Sequence, residues 1–145
     1  MDGRELKKIR RLSEAILAQT ARIEELRLAA YGQHTMDTVG GSRAAPENKI
    51  EKLCIEIVRE EGKLDALIDK RKDLIDNAFT EIMESVEDKK QRHILYLRYI
   101  AVNRQGHSLE WTEVIEIAHR VHNIQRSRVF ELHNLALKNL KQHNI

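Results

Sequence analysis

The sequence predicts an all-α protein: a long N-terminal antiparallel helical hairpin, coiled-coil-like, followed by a C-terminal helix-turn-helix unit. Three observations carry this. Charged residues make up 33% of the chain and aromatics 4%, with one proline. That mix suits long solvated helices better than a sheet, which draws on aromatic and β-branched residues. Apolar residues recur in steps of three and four over two long stretches. The C-terminal part instead carries three short periodic segments separated by turn signals.

The first stretch runs from about Arg4 to Ala30, with Ile9, Leu12, Ile16, Ile23, Leu26 and Ala30 in register and Gln19 at the one missing step. This is a heptad-like seam on an amphipathic helix. Periodicity then stops in YGQHTMDTVGGSRAAPE, where Gly40-Gly41 and Pro46 are chain breakers. A flexible loop is predicted over residues 31–46, with Pro46 suited to the first turn of the next helix.

The second helix is predicted from Pro46 to Val86, with a seam of Ile50, Leu53, Ile57, Leu64, Leu67/Ile68, Leu74/Ile75, Ala78/Phe79, Ile82 and Val86. At 1.5 Å per residue it is about 60 Å long. Glu60-Glu61-Gly62 interrupts the seam, which predicts a weak point, a bend or a mispacked layer there. Neither helix can bury its stripe alone. Residues 1–88 therefore read as a hairpin for oligomerisation or partner binding, doubled by homodimerisation.

Residues 89–145 change character. Lys89 to Ile100 is a dense apolar helix holding Ile94, Leu95, Leu97, Tyr99 and Ile100. AVNRQGHS is a loop with Gly106. Ser108 is placed to cap a helix holding Leu109, Val114, Ile115, Ile117, Ala118 and Val121. His122-Asn123 makes a tight turn, since Asn tolerates a left-handed conformation. A last helix follows from near Ile124, and the three segments together are the size of a helix-turn-helix unit.

Charge is uneven. Residues 1–89 hold 16 Lys+Arg against 19 Asp+Glu, whereas residues 90–145 hold 9 against 4 and six of the seven histidines. A basic end on a near-neutral body points to an anionic partner. The single Cys54 excludes an internal disulfide, and its neighbours Leu53 and Ile55 predict a small buried side chain. No apolar run approaches a membrane span, and MDGRELKKIRR lacks the apolar segment of a signal peptide. The expectation is a soluble protein of the cytoplasm with no membrane partner.

Enzyme motifs are missing. There is no GxxxxGK[ST], GxSxG or GxGxxG. Glu116-x-x-His119 is at most half of a di-iron motif, and His119 with His122 has only i,i+3 spacing to offer a metal. No catalytic residue, cofactor or metal site is expected.

LYLRYI, WTEVIEIAHRV and SRVFELHNLALKNL, spanning roughly residues 90–141, resemble the DNA-binding fourth region of bacterial sigma factors. They are most similar to the sigma-like late-gene activators of Gram-positive phages, the ArpU/RinA type. The carriers are Leu97-Arg98-Tyr99-Ile100, then Trp111 with Glu116-Ile117-Ala118, then Val129 and Ala136 with Leu137 and Leu140. The sequence departs from that pattern in a longer loop before Trp111, a longer turn, and Gln125 in place of a Ser/Thr cap. The resemblance implies a transcriptional regulator that binds double-stranded DNA at late promoters, with host RNA polymerase as a further partner. It also implies that Arg126, Ser127 and Glu131 face bases.

Periodicity adds that Val129, Leu132 and Ala136 form the inward stripe of the last helix. Gln125, Arg126, Ser127, Arg128, Phe130, Glu131, His133 and Asn134 are then the candidate DNA-binding residues. Each has a plainer reading: a solvated helix start for Arg126 and Arg128, and packing on Trp111 or on the N-terminal helices for Phe130. Arg4, Lys7, Lys8 and Arg11 form a basic stripe on the first helix, which reads as a solvated face or as extra phosphate contact. The competing function class is a helical interaction or assembly protein, including a DNA-packaging subunit like the small terminase.

Overall fold

The computed structural model describes residues 2–40 and 46–143, with side chains over 2–32 and 48–141. Those residues form five helices and no strand: α1 Gly3–Gly40, α2 Pro46–Ser85, α3 Lys89–Leu95, α4 Trp111–His122 and α5 Arg126–His143. α3 widens at its end into a π-helical turn, Tyr96–Ile100. No described helix is long and apolar enough to cross a membrane.

α1 continues well past Ala30, so the predicted loop is corrected for residues 31–40; its remaining part, 41–45, lies outside the described residues. α2 passes through Glu60-Glu61-Gly62 without a break.

Packing divides the chain into two units, and not at residue 88. One unit is Met1–Glu14 with Lys70–Ile145; the other is Ala15–Asp69. The physical reason is burial. Leu6 and Ile9 of α1 and Ala78, Ile82 and Val86 of α2 share one core cluster with Leu95, Tyr99, Ile100, Ala136 and Leu140. The ends of the two long helices thus belong to the C-terminal unit. A second cluster in that unit gathers Ile94, Leu97, Leu109, Val114, Ala118, Ile124, Val129 and Leu132.

Helix ends in this unit are closed by side chains. Asp88 caps α3 by accepting from the Lys90 N–H at 3.0 Å. Arg92 donates to the carbonyls of Val86 and Met83 at the end of α2. The wide π turn and the chain end after it leave carbonyls without intrahelical partners. Arginines collect them: Arg71 donates to Ile100 at 2.8 Å and Arg10 to Arg98 at 2.6 Å, while Arg10 also reaches the Leu109 carbonyl just before α4 at 2.7 Å.

The connection after the π turn folds back on itself through Gly106 at φ 88° and an isolated bridge between Val102 and Ser108. Ser108 is not the cap the sequence suggested. α4 begins at Trp111, and the Ser108 N–H instead donates to the Glu14 carboxylate at 3.1 Å. That bond, followed by the His107 ring, holds the Glu14 carboxyl below its ordinary range.

In the unit Ala15–Asp69 the apolar residues of the predicted seams are, Ile23 apart, only partly withdrawn from solvent. Ile23 is buried, and Leu26, Leu53, Ile57, Leu64 and Leu67 are half-buried. Glu60 occupies the seam interruption and is itself buried, with the Gln19 amide donating to it at 2.5 Å. Cys54 is exposed, which corrects its expected burial. Consecutive residues on a helix point about 100° apart, so an apolar neighbour in sequence does not carry Cys54 inward.

Candidate nucleic-acid interface

α4 and α5 are joined by a short turn. Asn123 takes φ 55°, ψ 41°, and its N–H closes α4 on the Ala118 and His119 carbonyls. This is the left-handed C-terminal cap for which Asn is suited. Ile124 then turns inward and is buried. α5 starts two residues later, with the Val129 N–H bonded to the Gln125 carbonyl at 3.1 Å. Val129, Leu132, Ala136 and Leu140 are all buried, as the spacing predicts. Ala118 and Ala136 have no exposed surface, so neighbouring helices come close at both.

The face opposite that stripe carries the polar candidates. Gln125, Arg126, Ser127, Arg128, Glu131 and Asn134 are exposed. Arg128 pairs with Glu131 at 2.9 Å, one helical turn away. Phe130 is half-buried on Trp111, with ring centroids 4.8 Å apart, so the plainer reading of its role holds.

His133 is a correction. It is 8% exposed, and its Nε2 lies 2.7 Å from the Tyr99 hydroxyl. Trp111 meets its ring edge-on at 4.8 Å. Four residues after Val129 and three before Ala136, His133 shares their face rather than the outer one. Burial lowers its pKa, the Arg98 and Lys7 charges lower it further, and only an Asn134 hydrogen bond acts the other way. His122 lies against His93, with Nε2 and Nδ1 2.7 Å apart. Among the described residues no group of three or more His, Cys, Asp or Glu side chains is placed to hold a metal ion.

No known family model matches this chain, and neither a curated protein nor a solved structure matches it.

Sequence patterning does not single out Lys138 and Lys141, yet both are exposed on the same helix. Lys138 follows Glu131 by seven residues and Asn134 by four, so the basic side chains continue the outer face of α5. Helical spacing is the signal that finds them. Arg98, named above only for the resemblance, is a further charge carrier: its guanidinium lies over the Trp111 ring at 4.4 Å from the centroid.

Proposed function

We propose that this chain is a sequence-specific DNA-binding transcriptional regulator of the phage sigma-like type, acting at late promoters with host RNA polymerase. The C-terminal unit would act as a helix-turn-helix, with the first turns of α5 entering a major groove. The observation that carries the reading is the division of α5 into two faces. One face is locked into both core clusters. The rest of its surface presents Arg126 and Ser127 to solvent in the first turn, just after the exposed Gln125, where backbone N–H groups without intrahelical partners also favour a phosphate, and presents Asn134 at mid-helix.

The long helices would form an antiparallel hairpin that dimerises. In the unit Ala15–Asp69, Gln19 reaches Glu60 and Arg22 reaches Glu56, a reversed order that supports an antiparallel pair. The same unit exposes Leu28, Ile55 and Val58, apolar side chains that a second copy would cover.

The test is binding-site selection from a random duplex pool, repeated with Arg126→Ala and Arg128→Ala. Arg126→Ala is expected to cost about 1–3 kcal/mol at one base position and to relax preference there. Arg128→Ala is expected to weaken all sequences alike. No enriched sequence from the pool, with the protein folded, would overturn the reading. The exposed apolar side chains would then favour the interaction or assembly class.

A further inference from the structure

Two adjoining depressions lie along the first turns of α1 in the C-terminal unit. The first, about 550 Å³, is lined by the cations Arg4, Lys7, Lys138 and Lys141, with Asp2 as its one carboxylate. Asp2 is occupied at the start of α1, accepting from the Arg4 N–H at 2.9 Å. The second, about 420 Å³, is lined by Lys7, Arg10, Arg11 and Arg98 with no carboxylate. Lys7 lines both, so they adjoin along α1, and the two together are called the groove.

Two of these charges are fixed in place. Arg10 is held by the Arg98 and Leu109 carbonyls, and Arg98 by the Leu109 carbonyl at 3.3 Å and the Trp111 ring. Neither has a carboxylate within ion-pair distance among the described residues. Glu14 attracts Arg10 and Glu110 attracts Arg98 without pairing with them, while the two guanidinium groups repel each other, and an anion in the groove relieves that repulsion. By contrast, Arg128 on the outer face of α5 is already neutralised by Glu131. The groove therefore gathers several cations, whereas the first turn of α5 carries Arg126 and the Glu131-paired Arg128.

We propose that this groove is a phosphate-backbone track for double-stranded DNA. Its cations are spread over α1, α5 and the π turn and over two open depressions rather than converging on one point, which fits a chain of phosphates better than a single small anion. Lys138 and Lys141 continue the outer face of α5, so the groove extends the surface proposed above to read bases. The choice of DNA rests on that proposed function. The track supplies affinity and salt dependence, and the first turns of α5 supply sequence preference.

The test uses the full chain and a random-sequence DNA duplex, titrated over a series of salt concentrations. Lys7, Arg11, Lys138 and Lys141 are all exposed. Changing all four to Gln is expected to flatten the dependence of log affinity on log salt by about 0.9 for each phosphate no longer neutralised. Lys7→Arg with Lys138→Arg keeps the charge and is expected to bind as wild type. Circular dichroism melts confirm that each variant is folded. Wild-type affinity and slope in the four-Gln variant would overturn the track and leave the base-reading face of α5 standing. No binding by the unmodified protein at low salt would overturn both. Tripolyphosphate binding that the four-Gln variant loses, with no duplex binding, would identify a small-anion site and also overturn the track.

Discussion

Gln19 and Glu60 face one another, the Gln19 Nε2 donating to the Glu60 carboxylate at 2.5 Å and to the Glu60 carbonyl at 2.9 Å. Each residue is the gap in its own helix's apolar seam, and the two gaps coincide. Lys63 at 3.2 Å and Arg22 at 3.4 Å complete the carboxylate's partners. A polar layer of this kind specifies register more than it stabilises, because an apolar pair of similar volume avoids the desolvation. Gln19→Leu with Glu60→Leu is expected to raise the melting temperature, and Gln19→Leu alone to lower it by leaving the carboxylate short of a donor. A double variant that melts below wild type would show that the polar layer is itself the stabiliser.

The same pair gives a pH dependence. The Gln19 hydrogen bond, then Lys63 and Arg22, lower the Glu60 pKa from 4.5. A carboxyl with a depressed folded pKa stabilises fully above its ordinary value and loses that stability as pH falls through the folded one. The histidines of the other unit act at higher pH. Burial lowers the pKa of His133 and of His93 from 6.5, and the His122 charge adds to the effect at His93. The unfolded chain then binds protons that the folded chain refuses, so stability falls as pH drops below about 6.5. Melting curves between pH 7.5 and 5 (on the order of one ordinary His titration) are expected to fall in wild type. They should be flatter in a His93→Gln, His133→Gln variant, and an equal slope in both would exclude these two rings as the cause.

Size at the helix crossings is the next expectation. Ala136 is fully buried among Leu6, Ile9, Leu95 and Tyr99. Ala136→Leu overpacks this site and is expected to cost about 1–3 kcal/mol. For a chain of this length that is a fall of about 2–4 °C per kcal/mol in a thermal melt. An unchanged melting temperature would mean that the cluster has room the packing does not suggest.

Much of this arrangement is legible in the sequence. Period-3.6 spacing finds Ile9, Ile23, Ile82, Val86, Val129 and Ala136, because burial on one helix face is a local property. Asn123 is legible as a turn because its side chain tolerates positive φ. What fails depends on distant partners or on residue type. His133 has core spacing, but a histidine reads as surface until Tyr99, 34 positions away, supplies its partner. That the ends of α1 and α2 share a core with α3 and α5 is likewise something no local pattern reveals. Apolar periodicity reports burial rather than helicity, so the stretch of α1 beyond Ala30 reads as a loop. The basic groove is half visible: Lys7 and Arg11 form a stripe, but only the fold brings Arg98 and Lys141 beside it.

The last prediction concerns the arginines that close the π turn. Arg71 on α2 donates Nε to the Ser13 hydroxyl at 2.7 Å and Nη2 to the Ile100 carbonyl at 2.8 Å. Ser13 is buried, and Ile100 ends the π turn in the core. Burial lowers the Arg71 pKa, but an arginine stays charged throughout the working pH range. Arg71→Met keeps the apolar stem and removes both donations. It is expected to cost about 1–3 kcal/mol, the penalty for leaving a buried acceptor unpaired. Arg71→Lys keeps the charge but cannot span both acceptors with a planar fork, and it should restore only part of the loss. The measurement is chemical denaturation of the three proteins, with amide exchange at Ala101 as a local probe, since its N–H closes the π turn on the Tyr96 carbonyl at 2.9 Å. If Arg71 anchors the turn, exchange at Ala101 accelerates in Arg71→Met by more than the global stability change explains. Protection at Ala101 that merely follows global stability would show that Leu95, Leu97 and Tyr99 hold the turn by packing alone.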